Sequence, residues 1–161
     1  MINDFAVEFL NSSESLNYYT TLVTGKRYYD DILNKIKKGN HYEVISFSNQ
    51  MINIFNKSGI VITRSGSTTI SEILGLKCIP IFIPSPNVVN NHQYFNAENV
   101  VNNGVGILIE EKDLNLNSAL EMLKNVSSNY ETYIYSLNKY TYINNTKLII
   151  DKIIELGDND E

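Results

Sequence analysis

The chain has 161 residues, 43% of them hydrophobic, a formal charge of −5 and a single cysteine. That is the content of one ordinary globular domain, and the acidic balance excludes a nucleic-acid binder that works by neutralising phosphates. One cysteine excludes a disulfide framework and a cysteine metal cluster, and no apolar run approaches the ~20 residues that cross a bilayer.

From the amino end, residues 1–10 carry Ile2, Phe5, Ala6 and Phe9 at helical spacing, an amphipathic helix. No basic segment precedes an apolar one there, so no signal peptide is expected. Tyr19 to Val23 reads as a strand, Gly25 and Lys26 as a turn, and Ile32, Leu33 and Ile36 as a helix ending near Gly39. His41, just before the next strand, is expected at the surface. Tyr42 to Phe47 is a strand, and Met51, Ile54 and Phe55 mark a short helix.

Ile60 to Thr63 is a β-branched run bounded by Gly59 and Ser65, which reads as a buried strand. A turn, Arg64-Ser65-Gly66-Ser67, follows. Ile70, Ile73 and Leu74 then give a helix with Ser67 as its expected N-cap and Gly75 near its end. Ile79 to Ile83 is the next strand, with Cys78 before it as a small buried hydrophobe. Pro84-Ser85-Pro86-Asn87 ends that strand, and His92 to Val101 is helical. Val105 to Ile109 is a fifth strand, and Leu116, Leu120 and Leu123 share a helical face. Tyr130 to Leu156 reads as one long or broken helix, with Ile134, Leu137, Ile149, Ile150 and Ile153 as its apolar positions. Residues 157–161 read as a solvated acidic tail. Strands alternating with helices predict an α/β domain over residues 1–156, a doubly wound parallel sheet with ligands at the carboxyl ends of its strands.

The chemistry concentrates in residues 59–97. Ser65, Gly66 and Ser67 let a ligand approach the backbone, and the free N–H groups of the following helix suit a diphosphate without a metal. Glu72, one turn in, can accept hydrogen bonds from a ribose diol. The same residues also suit an ordinary βα turn whose serines cap the helix and whose glutamate is solvated. Spacing by itself favours that simpler role.

RSGSTTISE over residues 64–72, the apolar strand, the proline-containing loop and NNHQYFNAE over residues 90–98 closely resemble the donor-binding half of the MurG-type glycosyltransferases. The likeness extends upstream through Val23-Thr24-Gly25-Lys26 and residues 46–51, and downstream through Gly104-Val105-Gly106. The resemblance implies a Rossmann-like C-terminal half of a GT-B fold and an inverting transfer of N-acetylglucosamine from UDP-N-acetylglucosamine. The implied acceptor is a lipid-linked muramoyl-pentapeptide of peptidoglycan synthesis, at the inner face of the cell membrane. Ser48 is then placed where the family's backbone reads the uracil edge, and Met51 among the substrate-binding residues. Arg64, Ser65, Gly66, Ser67, Thr68 and Thr69 are placed around the diphosphate and sugar, Glu72 at the ribose, and His92 and Gln93 at the sugar hydroxyls. No cofactor, metal ligand, catalytic base or nucleic-acid partner is implied.

Two departures stand out. Leu22 and Val23 replace a histidine and glutamine usual in the family, and the loop from Pro84 to Asn91 lacks the usual histidine. The family's donor half also begins with a strand and a glycine-rich phosphate loop, whereas this sequence opens in the helix that follows them. The acceptor-binding amino-terminal domain, which carries the family's catalytic base, is missing too. The sequence leaves open a partner chain that supplies these parts, a start further upstream, or a gene remnant. It also leaves open a donor-binding subunit of a two-chain transferase and a transferase for a different sugar or acceptor.

Overall fold

The computed structural model describes residues 2–140, 150 and 152–155. Its elements run α1 (Ile2–Leu10), β1 (Thr20–Val23), α2 (Tyr29–Lys35), β2 (Tyr42–Ile45), α3 (Met51–Phe55) and β3 (Ile60–Thr63). They continue with α4 (Ser67–Gly75), β4 (Ile79–Phe82), α5 (His92–Val101), β5 (Ile107–Leu108), α6 (Leu116–Ser128) and α7 (Tyr130–Lys139). Every strand pairing is parallel, as the strand–helix alternation requires.

The strands form two sheets, β1–β2 and β3–β4–β5. Laid side by side they read β2-β1, then β3-β4-β5. That is the doubly wound order 3-2-1-4-5-6 with its first, central position empty. The cost is visible in burial. All four residues of β4, paired on both edges, are buried, whereas β3, paired on one edge, buries only Val61.

β4 carries the core. Ile79, Phe82 and Ile83 are fully inaccessible and Ile81 nearly so, each worth about 1.5–3 kcal/mol of apolar burial. Pro80 lies inside this central strand, where a residue without an N–H would ordinarily break the ladder. The register removes the conflict. Pro80 faces the β5 side, but pairing with β5 starts only at Ile81 and Ile107, one step beyond it. Gly106 sits against Pro80 with φ of +78°, and a Cβ there would run into the Pro80 carbonyl oxygen and ring. β5 is thereby cut to two residues, against the expected five.

Other differences are local. β2 ends at Ile45, two residues short of the expected strand. The N-cap of α4 is Gly66, so Ser67 is the first helical residue and caps nothing. α4 ends at Gly75 as expected, with Leu76 as its C-cap, and the chain then turns at Lys77, whose φ of 60° is left-handed. The Cys78 N–H bonds the Ile73 carbonyl and the Lys77 N–H bonds the Leu74 carbonyl, a Schellman closure with lysine where glycine is usual. Lys77 Nζ donates to the Leu137 carbonyl at 2.9 Å, which ties that turn to α7. Leu33 is exposed rather than in the core. His41 is half-buried, not at the open surface, with Nε2 3.1 Å from Ser15 Oγ. Cys78 is buried as expected, and burial pushes its thiol pKa up, which keeps it neutral.

The helix expected from Tyr130 onward is observed through Lys139, and Tyr140 leaves helical geometry. Leu137 is fully buried, while Ile150 and Ile153, expected on a packed face, are exposed. Ile149, Leu156 and the acidic tail fall outside the described residues.

The Pro80–Gly106 contact yields a prediction. Gly106→Ala, strained in φ and in space, should destabilise the chain by more than ~1 kcal/mol in urea denaturation. Gly75→Ala, with nothing near its Cβ position, should be neutral or stabilising by about 0.5 kcal/mol. Equal midpoints for the two variants would refute the account of β5.

Candidate functional site

The β3–β4 pairing brings two loops together at the carboxyl ends of adjacent strands. Residues 64–66 lead into α4, and residues 83–91 lead into α5. Ser65 is fully buried at their junction. Its Oγ donates to the Gln93 carbonyl at 2.7 Å, and Asn96 Nδ2 donates back to the Ser65 carbonyl at 3.3 Å. Gln93 Oε1 accepts from the Ser85 N–H at 2.9 Å. These bonds latch the amino ends of α4 and α5 side by side.

Arg64 straps the outer side. Its Nη1 donates to the carbonyls of Ile83 and Pro84, both at 3.0 Å, and its Nη2 lies 2.7 Å from Glu111 Oε2. Those three bonds commit the guanidinium to framework oxygens on the loops after β4 and β5. Sequence reasoning assigned Arg64 and Ser65 to the ligand, but in the structure both side chains hold the loops.

What remains open is backbone. α4 has no side-chain cap, so the N–H groups of its first turn have no protein acceptor from the cap position. Nothing lies within 4 Å of a Cβ placed on Gly66, and Ser67 and Thr68 are exposed. Asn91, before α5, is left-handed at φ 51°, as is Asn90 at φ 55°. Asparagine tolerates this better than other non-glycine residues, which accounts for the paired asparagines as a means of turning the chain into α5. His92 is the first residue of α5, with Nδ1 2.9 Å from the Val89 carbonyl. A carbonyl only accepts, so Nδ1 carries a proton, and in the neutral ring the exposed Nε2 is the acceptor. With Oε1 of Gln93 engaged, its amide Nε2 keeps two donors.

Glu72 is half-buried, and no hydrogen bond reaches its carboxylate among the described residues. With Thr69 and Met51 it lines the groove between β1 and β3. Ser48 stands on the loop after β2, where its Oγ accepts from the Gln50 N–H at 3.0 Å and shapes the turn into α3. Nearby, Lys26 Nζ sits 5.0 Å above the ring of the exposed Phe47. Thr24 is buried, its N–H bonded to the Ile45 carbonyl and its carbonyl accepting from Asn3 Nδ2 at 3.1 Å. Residues 64–69, 92 and 93 therefore form one cluster. Ser48 stands on the other sheet, and Met51, Thr69 and Glu72 line the space between. Asn96 and Glu111 were missed, since an asparagine inside a helix and a glutamate in a loop carry no local signal of a bond to a distant residue. Among the described residues, no three His, Cys, Asp or Glu side chains gather where they could hold a metal ion.

Residues 2–153 match the family model described as glycosyltransferase family 28 C-terminal domain. The chain belongs to this family. A relative from Lactococcus lactis subsp. lactis (strain IL1403) is 32% identical over 135 residues, covering 82% of this chain and 38% of its own length. One from Bacillus cytotoxicus is 34% identical over 134 residues, covering 81% and 37% respectively. Both are named as UDP-N-acetylglucosamine–N-acetylmuramyl-(pentapeptide) pyrophosphoryl-undecaprenol N-acetylglucosamine transferases. The chain thus spans less than two-fifths of the length of these relatives. Among solved structures it resembles Acinetobacter baumannii MurG, with a TM-score of 0.71 at 17% identity over 92% of this chain and 46% of that one. It also resembles the glycotransferase of kitacinnamycin, with a TM-score of 0.66 at 17% identity over 86% of this chain and 33% of that one. These likenesses establish the parallel α/β architecture of the GT-B glycosyltransferases. The family 28 domain here has the arrangement of a donor-binding part, with small-residue turns and helix starts gathered at one sheet end.

The strap can be tested directly. Arg64→Lys cannot span three oxygens and should cost about 1–3 kcal/mol in urea denaturation, with faster amide exchange at Ser85. Parent-like stability and exchange would show that Arg64 holds nothing in place.

Proposed function

We propose that residues 1–156 form the nucleotide-sugar half of an inverting N-acetylglucosaminyltransferase of peptidoglycan synthesis. The donor is UDP-N-acetylglucosamine, and the acceptor is a lipid-linked muramoyl-pentapeptide held by polypeptide beyond this half, a further domain or a partner chain. The complete enzyme works in the cytoplasm, peripheral on the inner membrane face. Among the described residues no helix is long and apolar enough to cross a membrane. The observation that carries the reading is the pair of helix starts, α4 and α5, latched together under the open space over Gly66.

In this reading the α4 start receives the diphosphate. Its free N–H groups and positive dipole end neutralise the bound donor, and do so more strongly as negative charge builds on departing UDP. An acceptor hydroxyl attacks the anomeric carbon, the bond to the diphosphate oxygen breaks, and configuration inverts. The hydroxyl proton leaves to a base placed with the acceptor, beyond this half. His92 Nε2 accepts from one sugar hydroxyl, and Gln93 Nε2 donates to another. A sugar with a misplaced hydroxyl leaves one of these groups unpaired, which is how such a pocket rejects it. Arg64 and Ser65 serve as positioning residues that fix the loops. Glu72 accepts from the ribose diol, and Ser48 and Met51 flank the uracil.

Two outcomes follow. The purified chain with donor and lipid-linked acceptor should release no UDP above the blank, since the base for the acceptor proton is placed with the acceptor, beyond this half. Turnover by the chain alone would refute the division of labour. Glu72→Gln keeps the shape and removes the charge, and should weaken UDP binding by roughly ten- to a hundredfold by calorimetry, with the fold unchanged. Binding as tight as the parent's would remove Glu72 from the ribose site.

A further inference from the structure

At the edge of the larger sheet, β5 and α6 bound a groove of 590 Å³ that neither loop of the donor site lines. Its apolar lining comes from Val101 at the carboxyl end of α5, Ile107 of β5, Ile109 just after it and Met122 of α6. The strand edge is open there. The Ile109 N–H bonds the Phe82 carbonyl, which fixes the phase of the ladder between β4 and β5. In a parallel ladder alternate residues turn their backbone groups to opposite neighbours, so Leu108 points its N–H and C=O away from β4. Leu108 lines the groove, and among the described residues no strand pairs with this edge.

The charge of the groove is one-sided. Glu121, exposed on α6, lines it, and no lysine, arginine or histidine joins it among the described residues. No ion pair reaches Glu121 among those residues either. The Tyr133 hydroxyl donates to Asn125 Oδ1 at 2.9 Å, and burial pushes its pKa up, so it stays neutral on the rim.

We propose that this edge is a docking site for a short extended segment of a partner protein that carries Lys or Arg beside Val- or Ile-type residues. The segment pairs its backbone with Leu108, lays apolar side chains on Ile107 and Met122, and brings its cation to Glu121. This is strand addition at a sheet edge, with one charge supplying the specificity. It uses no residue of the nucleotide-sugar site and does not depend on that reading. An apolar small molecule would fill the lining but leave the Leu108 groups and the Glu121 carboxylate without partners. A second copy joined through the same edge would bring a second Glu121 and no cation, so like charges would meet. β5 is two residues long, cut short at Gly106, and therefore grips a brief segment rather than a long strand.

The test titrates the chain with an end-blocked pentapeptide that has lysine at the centre of a Val/Thr run, read by NMR at the Leu108 amide. The peptide should shift that signal and slow its exchange at least ~10-fold. Methylating the peptide's backbone nitrogens should abolish both effects. Glu121→Lys should weaken the lysine peptide at least ~5-fold and admit the same peptide with glutamate at its centre. That gain cannot come from a variant that fails to fold. A Leu108 amide that does not respond to the lysine peptide overturns the proposal. Equal affinity for the lysine and glutamate peptides does so too, because it leaves Glu121 without a role. Binding that survives methylation makes the groove a plain apolar pocket and overturns the strand. A Leu108 amide already protected in the free chain overturns the proposal in favour of another part of the chain, or of a second copy where dilution restores exchange.

Discussion

The register of β3 against β4 is the constraint from which the rest of the site follows. Four parallel pairs, from Ile60 with Ile79 to Thr63 with Phe82, end both strands at the same level. The chain leaves both ends within reach of one buried serine. Because the strands are parallel, both following helices present their amino ends to the same side, with their dipoles pointing the same way. Ser65 and Gln93 then need only short bonds to hold those ends together, and Arg64 closes the outer flank through Glu111. A shift of one residue would turn the side chains of β4 to the opposite faces and break this alignment.

The division of roles within the loop follows from burial. Ser65 is shut away, so its hydroxyl must bond protein, and it does. Gly66, Ser67 and Thr68 stand in the open, where the unpaired groups are backbone N–H and the space above the glycine is empty. The polar residues of this turn thus separate into those that hold the loops and those that face out of them. Pro80 and Gly106 are a similar accommodation. The proline rigidifies the central strand at the one step where its missing donor has no partner to lose, and the glycine gives it room.

The gap between β1 and β3 sets the limits of the domain as it stands. β1 and β2 hold together through their ladder and through α1 and α2, and β3, β4 and β5 through the β4 core. Ser48 belongs to the first group and residues 64–69 to the second, so a ligand touching both would bridge the gap.

The sequence by itself determined the element order, the parallel α/β class, the buried run of β4 and the place where small residues free a helix start. These are local properties: β-branched runs, helical periodicity and turn residues act over a few positions, and the family motif is contiguous at residues 64–72 and 90–98. The tertiary structure alone decided which members of that motif are available. Arg64 and Gln93 have the chemistry to hold a ligand, and only the approach of Ile83, Pro84, Ser85 and Glu111 commits the Arg64 guanidinium and the Gln93 oxygen elsewhere. Strand lengths at β2 and β5, the left-handed Lys77, and the bond between Ser15 and His41 were likewise hidden. Each is set by a neighbour distant in sequence, because a hydrogen bond or a clash is satisfied in space and leaves no periodic trace along the chain.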